Sequence, residues 1–109
     1  METPVGQIKP HKYDDASLCE AIRLAQQGNL AGFEIIYQLY AGRVYAFCLG
    51  MSRDPIEAEN LAREAFLLLF RELNTFHVES AFCAWLHRLT LNLVLMRLRQ
   101  KWLRSRKNI

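Results

Sequence analysis

Glycine and proline are scarce, five and three in 109 residues, and they never cluster. That excludes a Gly-rich phosphate loop and leaves few chain breaks. The cysteines Cys19, Cys48 and Cys83 are odd in number and far apart, with no C-x-x-C pair and no Cys/His pairing at ligand spacing. A disulfide framework and a zinc site are thereby excluded, and reduced, buried thiols in a cytoplasmic protein are expected. His11, His77 and His87 share no metal-site spacing, and neither H-E-x-x-H nor a nucleophile elbow occurs. Acids such as Glu57 and Glu59 fall on a solvated helix face, where nothing would give them a catalytic pKa. Neither an enzyme nor a cofactor is expected.

Long apolar runs are also missing. The first 15 residues carry Lys9, Lys12, Asp14 and Asp15 and no apolar stretch of signal-peptide type. Residues 81–98 are the most apolar late stretch, yet His87, Arg88, Asn92 and Arg97 interrupt it too often for a membrane span.

Acidic residues are absent from residue 80 onward, where Arg88, Arg97, Arg99, Lys101, Arg104, Arg106 and Lys107 stand alone. All 11 acids lie in residues 1–79, against seven bases. So uneven a distribution points to a polyanionic partner at the C-terminal end. The alternatives are a solvated helix end whose bases favour the helix dipole, or an amphipathic helix on anionic lipid.

What is present is helical periodicity. Asp15 is placed to cap a helix through Leu18, Ile22 and Ala25, which Gly28 ends; Asn29 caps the next, with Phe33, Ile36, Tyr37, Tyr40, Val44, Phe47 and Met51 in one stripe. Asp54, Pro55 and Glu57 form a capping-box-like start for a third helix. Its Ile56, Leu61, Ala65, Phe66, Leu69, Phe70 and Leu73 are expected inward, and Glu57, Asn60, Arg63, Glu64 and Arg71 outward. A short loop follows, and Ser80 is placed to cap a last helix bearing Phe82, Trp85, Leu86, Leu89, Leu93 and Met96. Four amphipathic helices on short links predict a compact all-α bundle over residues 15–106, with a flexible segment at residues 1–14 and a short end at 107–109.

The segment Thr75-Phe76-His77-Val78-Glu79-Ser80 puts an aromatic in a loop just before the increasingly basic helix. Unpaired bases rest on aromatic surfaces while Arg and Lys follow phosphates, and Asn92, seven residues after Trp85, is placed on nearly the same face to bond a base edge.

These residues resemble region 2 of the extracytoplasmic-function (group-4) sigma-70 factors. The resemblance rests on Ala25-Gln26-Gln27-Gly28-Asn29 with Gly32-Phe33, on Leu39-Tyr40 with Val44-Tyr45, and on Asp54-Pro55 followed by the run from Ala58 to Phe66. It continues through Arg71-Glu72-Leu73 with Thr75-Phe76, then Glu79-Ser80-Ala81-Phe82, the run from Trp85 to Asn92, and Leu98-Arg99. It implies a non-enzymatic transcription-initiation module with a four-helix region 2 bundle. In such a module the polar face of the third helix, here Glu59, Asn60, Arg63, Glu64 and Leu67, docks on the clamp helices of the polymerase β′ subunit. The loop and last helix, here Phe76, His77, Val78, Glu79, Ser80, Arg88 and Asn92 with the bases Arg97, Arg99 and Lys101, hold the opened promoter −10 element. An anti-sigma factor is a further partner of the family, and a membrane is not.

Two departures stand out. Asn60 and Arg63 replace the family's usual Asp and Gln, and His77-Val78 replaces Arg-Gly, which removes a residue with access to positive φ. Nothing corresponds to the helix-turn-helix that reads the −35 element in a full-length factor. The alternative expectation is therefore a truncated interaction module that binds polymerase or an anti-sigma factor without opening promoters.

Overall fold

The computed structural model describes residues 15–77 and 81–107. Four α-helices run in chain order: α1 (Asp15–Gln26), α2 (Leu30–Ser52), α3 (Pro55–Glu72) and α4 (Phe82–Lys107). A 3-10 turn, Leu73–Thr75, follows α3. The all-α architecture is as the periodicity predicts, and no strand occurs among the described residues.

Local chemistry sets the boundaries. Gly28, at φ +87°, takes the left-handed conformation that ends α1, and its N–H donates to the carbonyl of Ala25 (2.9 Å). Asn29 then caps α2, its Oδ1 accepting from the Ala31 N–H at 2.9 Å. Arg53 closes α2 at φ 60°, its N–H donating to the Leu49 carbonyl at 2.7 Å. Asp54 caps α3 by accepting from the Ile56 N–H at 3.1 Å, with Pro55 in the first turn. Only half of the expected capping box forms: the Glu57 carboxylate does not turn back to the cap but lies 4.0 Å from Lys101 on α4. The candidate cap Ser80 and the N-terminal segment 1–14 lie outside the described residues.

One core holds the bundle. Ala21 and Ile22 of α1 meet Ile36, Val44 and Cys48 of α2, Leu61, Ala65, Phe66 and Leu69 of α3, and Phe82, Leu86, Leu93 and Val94 of α4. Each large side chain contributes about 1.5–3 kcal/mol by leaving water, before entropy is subtracted. Thr90 is the buried polar residue of this core; its hydroxyl donates to the Leu86 carbonyl at 2.8 Å, so no unsatisfied group is left. Helices α1 and α2 approach closely at Gly32, where a Cβ would stand 2.4 Å from the carbonyl oxygen of Ala21.

Three expectations about burial need correction. Ile56 is 73% exposed, because it sits in the first turn of α3 beyond the cover of its neighbours. Tyr37, Phe70 and Met96 are about half exposed at the rim of the helix pairings. Of the cysteines only Cys48 is buried, and burial pushes its thiol pKa up. Cys19 is half-buried, and Cys83 is exposed, its Sγ accepting from Arg43 at 3.3 Å.

Candidate protein and nucleic-acid interfaces

The polar face of α3 divides in two. Glu59, Asn60, Arg63 and Leu67 are all exposed, and Glu59, Arg63 and Leu67 border α2. Between them, Phe33, Tyr37 and Tyr45 of α2 and Phe66, Leu67 and Phe70 of α3 line an open groove, with Glu59 and Arg63 at its polar edge. Phe33 and Phe70 pack at 4.6 Å between ring centroids, and Tyr37 meets Phe66 edge-on at 4.9 Å. This geometry suits an amphipathic helix laid along the groove. The two unusual residues satisfy each other, since the Arg63 guanidinium donates to Asn60 Oδ1 at 3.0 Å.

Glu64 stands apart from that set. It and Glu57, two turns earlier, face α4, where Glu64 pairs with Arg97 and Glu57 approaches Lys101. Both acids are therefore half-buried rather than on the solvated face expected of them. The cause is helical register: Arg97 and Lys101 continue the row of Leu86, Thr90 and Val94, the side of α4 that faces the bundle. Two of the candidate DNA-binding bases are thus turned toward α3 acids.

The opposite side of α4 carries Arg88, Asn92, Leu95, Arg99 and Trp102, spaced by four, three, four and three residues, and all are exposed. Among the described residues, Arg88 and Arg99 have no ion-pair partner. The candidate residues Arg88, Asn92 and Arg99 are therefore gathered on one acid-free stripe.

The loop differs from the expectation in one respect. Phe76 is only 5% exposed, its ring 5.0 Å from that of Trp85 and 5.2 Å from that of Phe82. As placed, the ring is a core side chain rather than a platform for a base. Its burial anchors the loop, and His77 beyond it is exposed. Val78, Glu79 and Ser80 lie outside the described residues. A second tether comes from α1: the Gln26 amide donates to the carbonyls of Leu73 (2.9 Å) and Phe76 (3.0 Å). The sequence offered no periodicity signal for Gln26, because its partners lie some fifty residues away.

Among the described residues, no group of three or more His, Cys, Asp or Glu side chains is placed to hold a metal ion. No helix among them is long and apolar enough to cross a membrane.

Comparison with known proteins agrees with this architecture. The sigma-70 region 2 family model matches residues 36–104. Over 80 residues the chain is 31% identical to the ECF RNA polymerase sigma factor SigW of Bacillus subtilis, an alignment covering 73% of this chain and 43% of that protein. It is 29% identical over 73 residues to the RNA polymerase sigma-H factor of Pseudomonas aeruginosa, covering 67% and 38%. With the ECF RNA polymerase sigma factor BldN of Streptomyces coelicolor it shares 33% over 82 residues, covering 74% and 31%. The chain spans less than half the length of these curated relatives. It belongs to the sigma-70 region 2 family, in the extracytoplasmic-function branch.

Proposed function

We propose that this chain is the polymerase-binding and −10-element-binding module of a sigma factor acting in transcription initiation. The groove between α2 and α3, edged by Glu59, Arg63 and Leu67 with Asn60 bonded to Arg63 beside it, receives the clamp helices of the polymerase β′ subunit. The Arg88, Asn92 and Arg99 face of α4, with His77 and the loop residues 78–80, holds the opened strand. No covalent chemistry is involved. Capture of unstacked bases offsets part of the energy of melting, and guanidinium groups neutralise phosphates.

The observation that carries this reading is the separation of two unlike surfaces in a region 2 chain: an aromatic groove with a polar edge, and a cationic stripe without acids. The test is fluorescence anisotropy with a labelled single-stranded −10 oligonucleotide at low salt, with core polymerase present. Asn92→Ala should weaken binding by about 1–3 kcal/mol. Equal affinity of wild type and variant counts against the reading.

A second reading is favoured by the placement of Arg97 and Lys101 beside α3 acids, on the side of α4 away from the Arg88, Asn92 and Arg99 stripe, which leaves fewer bases for the strand than the sequence suggests. In that reading the chain binds polymerase or an anti-sigma factor without opening promoters. It would then co-purify with polymerase yet give no promoter-dependent transcript in a reconstituted reaction.

A further inference from the structure

Past the residues already assigned, the exposed stripe of α4 does not stop at Arg99. Trp102, 56% exposed, stands one turn further on the same side, and Leu95, 48% exposed, fills the interval between Asn92 and Arg99. Asn92, Leu95, Arg99 and Trp102 together border one shallow hollow. The stripe alternates guanidinium, amide, apolar, guanidinium and indole, and no acid occurs anywhere on α4.

We propose that Trp102 is a stacking platform for an unpaired base at the far end of this stripe, so that α4 holds a longer stretch of single strand than Arg88, Asn92 and Arg99 alone would reach. The inference rests on the nucleic-acid reading above and extends it by one contact residue. From Arg88 to Trp102 the helix rises about 21 Å, the length of about six stacked nucleotides at ~3.4 Å each. Two guanidinium groups spaced along that length follow phosphates, and an indole accepts any base on its face. Charge complementarity names a polyanion. The large planar side chain set between a basic and an apolar neighbour favours a strand with exposed bases over an acidic peptide.

The decisive measurement compares Trp102→Ala, Trp102→Phe and Asn92→Ala in the 109-residue chain, with labelled single-stranded and duplex oligonucleotides at low ionic strength. Trp102 lies outside the core, so circular dichroism should show all three folded. Trp102→Ala should lose at least about fivefold in single-strand affinity, Trp102→Phe should retain most of it, and duplex affinity should not move. A loss in Asn92→Ala with none in Trp102→Ala overturns the platform and leaves the wider nucleic-acid reading standing. No loss in either variant sinks both. Equal losses on single strand and duplex overturn stacking in favour of a general electrostatic contact. Trp102-dependent capture of an acidic amphipathic peptide, with single-strand affinity unchanged, also overturns it.

Discussion

The guanidinium of Arg97 on α4 is paired with the carboxylate of Glu64 on α3 across 33 residues of sequence. The side chains are 42% and 35% exposed, so the pair contributes at most about 1 kcal/mol to stability. Its larger effect should be on charge. Glu64→Gln frees Arg97 and should raise single-strand affinity more than Glu59→Gln, which removes the same charge from an exposed site. In an Arg97→Gln background that extra gain should vanish. A double-mutant cycle read by anisotropy checks it, and equal gains from both acids would dismiss the coupling.

Gln26 joins the end of α1 to the start of the loop through two carbonyl groups. Gln26→Leu keeps the size of the side chain but leaves the Phe76 carbonyl without its donor and the Leu73 carbonyl with only the Phe76 N–H. Urea denaturation should show a loss of about 1–3 kcal/mol, with helix content unchanged.

Two glycines of α2 should respond with opposite signs. Gly32→Ala drives a methyl group against the α1 backbone at Ala21 and Ala25, and overpacking of this kind costs about 1–3 kcal/mol. Gly50→Ala meets nothing within 4 Å and should stabilise α2 by about 0.5–1 kcal/mol. Thermal denaturation of the two variants side by side distinguishes packing from propensity.

How much of this was legible in the sequence depends on the distance over which each feature is decided. Caps and breaks are local, and Gly28, Asn29, Asp54 and Pro55 all act as their types require. The inward rows were mostly legible too, since periodicity reports burial directly. Which polar face meets which neighbour was not, because that is set by the packing register of α3 and α4. Glu57 and Glu64 were expected in solvent and are instead turned toward bases of α4. One signal was there to be read: Arg97 and Lys101 stand in step with the apolar row of their own helix, so they had to face the bundle. Phe76 was misread for the opposite reason. A loop aromatic invites a ligand role, but Phe82 and Trp85 on the following helix enclose it.

The way α4 outruns its neighbours has a thermodynamic consequence. Val94 is its last buried residue among those whose side chains are described, and residues 99–105 expose every side chain to water. Those turns draw little cohesion from the core and depend on helix propensity, which is marginal over so short a length. Anything that grips this end therefore also secures its winding, and part of the attraction is absorbed in that task. Affinity and order at the tip are in this way a single equilibrium, more sensitive to temperature and salt than the groove between α2 and α3, whose walls are packed into the core.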